Sequence, residues 1–181
     1  MIKYKLTTQQ MTTHTGCQWV IGVPKETTGE GELCGPGWLH YYDHPLLAVL
    51  LNSIHADIDN PRLWEAECEG QHLDDHGLKG GCTKMTLLRE IPMPKVTINQ
   101  RTAFAILCTK EVRTDKDWNE WADNWLSSKD RSEKTIEKTV REAWKTAADA
   151  AWSVTVGKSA ARAAKSKPIN LIKIAEEAMK Y

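Results

Sequence analysis

The chain has 181 residues, of which 41% are hydrophobic and 27% are charged, a composition that fits a globular fold and argues against disorder. Lysine plus arginine and aspartate plus glutamate each number 24, so the formal net charge is zero and lacks the basic excess typical of nucleic-acid-binding domains. No apolar run is long enough to cross a bilayer or to form a signal peptide, so we expect a cytoplasmic protein without membrane contact.

Turn signals divide the first half of the chain into short pieces, which suit strands better than helices. The piece Gln18–Val23 is apolar and β-branched. The segment Leu63–Glu69 alternates strictly, with tryptophan, alanine and cysteine on one side and Glu65, Glu67 and Glu69 on the other. This pattern predicts a half-buried strand with an acidic outer face. Cys82–Ile91 resumes the extended pattern after a polar connection over residues 71–81, so we expect a hairpin.

One apolar run in this half has helical spacing instead. It covers Pro45–Ile54 and predicts a short helix whose start is set by Asp43 and Pro45. Pro92 and Pro94 then mark a boundary, because proline ends helices and is excluded from central strands. We predict an α+β fold, with a small antiparallel strand-rich lobe over residues 1–94 and an all-helical lobe over residues 95–181.

The second half begins with two predicted helices. The first covers residues 98–113. Thr114 and Asp117 have the spacing of a capping box for the second helix. That helix carries three tryptophans at spacings that place them on one side: Trp118, Trp121 and Trp125.

Two further helices complete the predicted helical lobe. A long amphipathic helix is expected to begin after Asp130, and Gly157 either ends or kinks it. Asn170 is the expected cap of the last helix. On the outside of that helix, Glu176 and Lys180 have the spacing of an ion pair.

Histidine and cysteine are concentrated in the strand-rich lobe, which holds all six histidines and four of the five cysteines. The tightest group is Cys68, His72, His76 and Cys82. Its spacing matches no established zinc motif, so packing of Cys68 and Cys82 across the hairpin is favoured and a metal site is the less favoured alternative. The odd number and irregular spacing of the cysteines argue against a disulfide framework. We predict no metal and no cofactor.

A histidine- and tyrosine-rich segment follows the turn Gly35–Gly37. The favoured interpretation is a strand in which Trp38 and Tyr42 pack, and the alternative is a pocket in which His40, Tyr41 and Tyr42 contact a nucleotide-like ligand. The sequence contains no Walker loop, dinucleotide-binding fingerprint or nucleophile elbow. We therefore assign no catalytic residue.

Charge is distributed unevenly along the chain. Residues 1–94 carry 7 Lys or Arg and 12 Asp or Glu, whereas residues 95–181 carry 17 and 12. The second lobe contains a basic stripe at helical spacing, formed by Lys134, Lys138, Arg141 and Lys145. Interleaved glutamates favour an ordinary solvated helix face over a nucleic-acid site. If a partner is bound, these four residues and Arg131 are the predicted contacts, and the Glu65–Glu69 face is the next choice.

Several short motifs distinguish the chain, namely Gly16-Cys17-Gln18-Trp19, Gly37-Trp38-Leu39-His40, Thr83-Lys84-Met85-Thr86, Phe104-Ala105-Ile106-Leu107-Cys108, Lys129-Asp130-Arg131-Ser132 and Leu171-Ile172-Lys173-Ile174-Ala175. On these residues the chain resembles an uncharacterised family common in phages and prophages, with a β-rich N-terminal domain and an alanine-rich helical region. The helical half is similar to immunity-protein-like helical domains. The Gly-Trp-Leu-His segment is similar to the strand that opens the nicotinamide pocket of ADP-ribosyltransferases.

The resemblance to phage proteins implies an accessory protein that acts by binding, without catalysis, and inhibits a bacterial defence complex, as anti-CRISPR proteins do. The expected partner is a host protein or nucleoprotein complex in the bacterial cytoplasm. Two alternatives stay open. One is an ADP-ribosyltransferase-like enzyme or nucleotide-binding module using His40, Tyr41 and Tyr42, and the other is a nucleic-acid-binding protein using the basic stripe. The oligomeric state does not follow from the sequence.

Overall fold

The computed structural model describes residues 1–13, 16–129, 131 and 150–181. Its elements in chain order are β1 (Ile2–Thr7), β2 (Thr12–Thr13), β3 (Cys17–Gln18), β4 (Lys25–Glu26), β5 (Leu39–Tyr41), α1 (Pro45–His55), β6 (Arg62–Asp74), β7 (Gly80–Ile91), α2 (Ile98–Lys110), α3 (Lys116–Leu126), α4 (Ala150–Ser166) and α5 (Leu171–Ala178). The sheet is antiparallel and the later elements are helices. The predicted α+β class is confirmed.

The hairpin of β6 and β7 is the longest regular feature of the sheet, and its prediction is confirmed. The alternation over Leu63–Glu69 has the expected sense, since Trp64 is buried and Glu67 is exposed. Both strands extend further into the connection than predicted. The turn is therefore short, and the Asp74 carboxylate accepts a hydrogen bond from the Gly77 backbone N–H at 3.0 Å.

The sheet rolls up so that its strands enclose an interior. β1 pairs with β6, while β5 and β4 both pair with β7. Tyr42, directly after β5, then bridges to Tyr4 in β1 through two backbone hydrogen bonds of 2.8 and 2.9 Å. We call this unit the roll. Its interior contains the buried hydrophobic residues Trp19, Leu39, Tyr41, Trp64, Ala66, Cys68, Cys82, Met85 and Leu87.

A second core lies between the outside of the roll and the helices. Three side chains of the roll point outward on this side, namely those of Leu6, Tyr42 and Leu63. They pack in one cluster with α1, α2 and the later helices. Helix α1 comes from the first half of the chain, yet it contacts α4 and α5. The predicted boundary at Pro92 and Pro94 falls in a coil, but the helical core is built by both halves of the chain.

The starts of α1, α2, α3 and α5 agree with the predictions to within a residue, whereas the predicted start after Asp130 lies outside the described residues. His44, rather than Asp43, caps α1, because its Nδ1 accepts a hydrogen bond from the Leu46 N–H at 3.2 Å. For α3 the cap is Asp115 rather than Thr114, since its carboxylate accepts from the Trp118 N–H at 2.7 Å. A carboxylate is a strong acceptor at the positive end of a helix, which favours the aspartate.

The C-terminal helices confirm one prediction and correct another. Asn170 caps α5 and accepts a hydrogen bond from the Lys173 N–H at 3.0 Å. Lys180 pairs with Glu177 rather than with Glu176. The helix ends at Ala178, so Lys180 lies beyond it and the four-residue helical spacing to Glu176 no longer applies.

Within α4 the chain continues through Gly157 without a break in the helix. The sequence left open whether Gly157 ends the helix or kinks it, and the structure excludes a helix end at this position. Among the described helices, none combines the length and the apolar character that crossing a bilayer requires.

Candidate functional site

The predicted basic stripe cannot be placed, because Lys134, Lys138, Arg141 and Lys145 lie outside the described residues. Arg131 is described and is half-buried. Its Nε donates a hydrogen bond to the Trp125 carbonyl at 3.2 Å, and its guanidinium lies 4.8 Å from the centre of the Trp125 ring. Arg131 therefore covers the C-terminal end of α3. Its role in partner binding stays a prediction.

The three residues of the alternative ligand pocket do not converge on one surface. Tyr41 points into the roll, where its hydroxyl lies 3.3 Å from His72 Nδ1. Tyr42 points the other way, into the helical core, and both tyrosine side chains are buried. His40 is half-buried and its Nε2 contacts the Leu33 carbonyl. The arrangement is that of a strand with packing residues, and ligand binding at these positions stays a prediction.

Charged side chains cover the part of the roll that lies away from the helical core. We call this surface the open face and define it by Glu26, Glu65, Glu67, Glu69, Lys84, Thr86 and Arg89. Glu65 forms a two-point ion pair with Arg89 at 2.7 and 2.8 Å, and this hydrogen bonding lowers the Glu65 pKa. Lys84 lies between Glu69 and Glu26, at 3.5 and 3.8 Å. Four carboxylates and two cations leave the open face with a balance of −2.

An exposed apolar turn adjoins the open face. It consists of residues Val20–Val23, and the side chains of Val20, Ile21 and Val23 are 55%, 51% and 50% exposed. The Val23 N–H donates to the Val20 carbonyl at 3.2 Å. Gly22 has a φ of +74°, a backbone conformation that is unfavourable for residues with a side chain. The turn corrects the prediction of a strand through Val23, because strand pairing ends at Gln18.

Two contacts anchor the apolar turn, one just before it and one within it. Before it, Trp19 is buried inside the roll, where its Nε1 donates to the Thr13 hydroxyl at 3.0 Å. Within it, the Gly22 N–H donates to the Leu87 carbonyl at 2.9 Å, which fixes the turn against β7. The neighbouring Leu88 is 40% exposed and extends the apolar surface. The exposed side chains therefore stand on an ordered support.

Inside the roll lies a buried lysine. Lys5 is 8% exposed, and its Nζ donates a hydrogen bond to the His40 carbonyl at 2.7 Å. The same nitrogen lies 5.3 Å from the centre of the Trp19 ring. Among the described residues, no carboxylate forms an ion pair with Lys5. Burial lowers the Lys5 pKa to about 8, because the charged ammonium loses its hydration.

Three cysteines lie close to this ammonium. Cys68 and Cys82 belong to the same buried cluster, and the interaction between the two thiols raises the Cys68 pKa and lowers the Cys82 pKa. Lys5 lowers both, and as a thiol Cys82 also contacts the Lys84 carbonyl at 3.2 Å. Cys17 is half-buried at the edge of the interior. We call Lys5, Cys17, Cys68 and Cys82 the Lys5–thiol cluster.

Cys68 and Cys82 are both buried in the interior cluster of the roll, as the predicted packing across the hairpin requires, with Cys68 opposite Met85 and Cys82 opposite His72. Elsewhere, Cys108 is also buried, whereas Cys34 is exposed. In the described part of the chain, no three or more histidine, cysteine or acidic side chains are grouped closely enough to hold a metal ion.

Lys5 was not singled out from the sequence. In the strand Ile2–Thr7, lysines alternate with isoleucine, tyrosine and leucine, and such a pattern ordinarily places lysine in solvent. Here both sides of the strand are buried, because Leu6 faces the helical core and Lys5 faces the roll interior. No signal within the six residues distinguishes this arrangement from a half-exposed strand.

Comparison with known proteins places the first half of the chain in a family. Residues 1–99 match the model of a family described as a domain of unknown function (DUF7666). The matched segment contains the roll, the apolar turn, α1 and the whole Lys5–thiol cluster. No curated protein and no solved structure gives a significant match.

Proposed function

The chain belongs to the DUF7666 family, and we propose that it acts by binding another protein through the apolar turn, without catalysing a reaction. The observation that carries this proposal is the exposure of three β-branched side chains, Val20, Ile21 and Val23, on one ordered turn. Single exposed apolar residues are common on protein surfaces, whereas grouped ones mark contact sites.

The support of the turn favours tight binding. Backbone hydrogen bonds to Leu87 and between Val20 and Val23 already hold its conformation. A contact surface that is ordered before binding loses less conformational entropy when the complex forms. β-branched side chains add to this effect because few rotamers are open to them.

The charge beside the turn indicates the chemistry of the partner surface. β4 follows the turn directly and carries Glu26, which joins the acidic residues of the open face. The charge of Lys25 does not offset this negative charge, because Lys25 points away from the open face. Its ammonium lies 5.9 Å from the ring centre of Trp19, which is buried inside the roll. We therefore propose that the partner offers an apolar pocket with basic residues at its rim.

The resemblance to phage and prophage accessory proteins supports a partner class. On that basis the partner is a protein of a bacterial defence complex, met in the host cytoplasm, and binding inhibits the complex. The basic stripe and Arg131 then form a second contact to an acidic region of the same complex.

A pair of matched substitutions tests the proposal. Ile21→Asp places a charge on the apolar turn, and Ile98→Asp places the same charge at Ile98, which is 63% exposed at the start of α2. Tagged parent and variants are used to capture proteins from a bacterial lysate, and the captured proteins are quantified by mass spectrometry. We expect one protein to be retained by the parent and by Ile98→Asp, and to fall about tenfold or more with Ile21→Asp.

Two outcomes contradict the proposal. One is that Ile21→Asp retains the protein as well as the parent does. The other is that the parent retains nothing above a tag-only control. Circular dichroism spectra of the three proteins establish that they are equally folded.

A further inference from the structure

We propose that α4 carries a further contact surface, which binds the phosphate backbone of a nucleic-acid duplex without reading its sequence. The surface consists of Lys158, Arg162 and Lys165, and we call these three residues the α4 basic face. The inference is independent of the binding proposed for the apolar turn, because it concerns another element and another class of partner.

The sequence around α4 carries positive charge without interruption. Residues 150–175 contain five lysine or arginine residues and no aspartate or glutamate, whereas residues 131–149 contain five and four. The zero net charge of the whole chain does not reveal this difference, because the balancing acidic residues lie in other segments. A local excess of one sign creates a surface potential that attracts a partner of opposite charge.

The three cations lie on one side of α4 and face solvent. Their spacing of four and then three residues places them on the same side of a helix, along about 10 Å of its axis. All three residues are exposed, and none forms an ion pair with another described residue. Lys167, just beyond the helix, is by contrast paired with Glu111 at 2.9 Å. The charges of the α4 basic face are therefore available to a partner.

The opposite side of α4 fixes the orientation of this face. Ala160, Ala163 and Ala164 are buried, with exposed fractions of 0%, 0% and 2%. They belong to the helical core, in which α4 contacts α1 and α2. The helix cannot rotate about its axis without breaking these contacts. The α4 basic face is therefore held in one orientation before a partner binds, which reduces the entropy lost on binding.

The composition of the face favours phosphate over a protein surface. Among the described side chains of α4, the exposed ones are the three cations and Ser166, whose hydroxyl donates to the Arg162 carbonyl at 2.8 Å. Beside them, Ser159 and Ala161 are small and half-buried. Protein interfaces have a buried apolar centre, and these side chains offer none. Lysine, arginine and small hydroxyl side chains are instead the residues that contact phosphate oxygens.

The same composition favours a duplex that is bound without sequence readout. Single strands are normally held by aromatic side chains that stack on the bases, and adenine in a duplex is read by asparagine or glutamine. The described side chains of α4 include no aromatic and no amide group. A straight row of cations on a rigid helix matches the regular spacing of phosphates along a duplex strand.

The test measures binding of a fluorescently labelled DNA duplex by fluorescence anisotropy. The duplex has about 20 base pairs, and the salt concentration is varied from about 50 to about 200 mM. For the parent we expect micromolar binding at the lowest salt concentration. Up to three phosphate contacts predict a slope of about −2 to −3 when the logarithm of the binding constant is plotted against that of the salt concentration. Two duplexes of unrelated sequence should bind equally.

Two triple variants separate the position of the charge from its amount. One replaces the whole α4 basic face by glutamine. The other is a control that replaces three lysines elsewhere, which are also exposed and without an ion pair among the described residues, namely Lys95, Lys116 and Lys129. Each variant removes three positive charges. We expect the first to bind the duplex at least about tenfold more weakly, with a slope near zero, and the control to bind within about threefold of the parent.

A third variant separates this surface from the apolar turn. Ile21→Asp should bind the duplex as the parent does, because Ile21 lies on the roll and outside α4. Failure of protein capture through the apolar turn would therefore leave duplex binding unchanged, and the two proposals are tested separately.

The proposal is overturned if the parent shows no duplex binding at about 100 µM protein and the lowest salt concentration, the weak limit of non-specific binding. Equal weakening by the two triple variants also overturns it. So does displacement of the duplex by polyglutamate as effectively as by unlabelled duplex of equal total charge, which would indicate an acidic protein as the partner. The parent measurement uses the unaltered chain, so it stands even where a variant fails to fold by circular dichroism.

Discussion

The Lys5 ammonium donates a hydrogen bond to the backbone carbonyl of His40 inside the roll, at a distance of 2.7 Å. This bond joins β1 to β5, the two strands whose ends meet where the sheet closes. A single carbonyl does not replace the hydration that the ammonium loses on burial. Lys5 therefore lowers the stability of the fold, and a residue that does so at a buried position is a candidate for function.

Lys5→Met is expected to stabilise the protein. Methionine fills similar space without a buried charge, so the free energy of unfolding should rise by about 1–3 kcal/mol. Urea denaturation at pH 7 measures it. Lys3→Met on the same strand is the control, because Lys3 pairs with Asp43, and its replacement should be neutral or destabilising. A destabilised Lys5→Met would contradict this account.

The contribution of Lys5 to folding stability is expected to depend on pH. Its pKa is about 8 in the folded protein and 10.5 in the unfolded chain. Between these values the unfolded chain binds more protons, so the Lys5 contribution to stability rises with pH. The stability gap between parent and Lys5→Met should be largest below pH 8 and should shrink as the pH approaches 10.5. A gap that does not change with pH would contradict the assignment.

His55 is expected to make the protein sensitive to acid. Burial lowers the His55 pKa to about 4, and its Nδ1 has no hydrogen-bond partner. Between pH 4 and 6.5 the unfolded chain binds the additional proton, so stability is full above pH 6.5 and falls with the pH. Between pH 7.5 and pH 5 the parent should lose about 2 kcal/mol more than His55→Gln in urea denaturation. His76→Gln is the control, because His76 is exposed and should lose as much as the parent.

Charge reversal on the open face is expected to slow partner binding. Glu67→Lys changes an exposed residue that has no ion pair among the described residues, so the roll itself should be unaffected. Loss of electrostatic attraction should lower the association rate about threefold to tenfold at low salt, with a smaller effect at high salt. Surface plasmon resonance with the captured partner measures these rates. Glu120→Lys on α3 is the control, and an equal effect of both variants would contradict the role of the open face.

The β6–β7 hairpin was predictable from the sequence, because the alternation of apolar and acidic residues is a local property. It places the glutamates on one side of the strand, and that side must face solvent. The starts of α1, α2, α3 and α5 were predictable to within a residue, because capping also depends on residues close together in the sequence. The burial of Lys5 was not predictable, because it depends on the pairing of Tyr4 with Tyr42, which are 38 positions apart in the sequence, and on helices that cover the other side of β1. The apolar turn was read as a strand, because Val20 and Ile21 favour extended structure and only Gly22 interrupts them.

The central claim is that the apolar turn contacts the partner, and site-specific photo-crosslinking tests it most directly. A photoreactive amino acid replaces Ile21 in one protein and Ile98 in another, and each is irradiated with the partner that the parent captures. The account predicts a covalent adduct from position 21 and none from position 98, since only the first lies on the apolar turn. An adduct from position 98 with none from position 21 would contradict the claim.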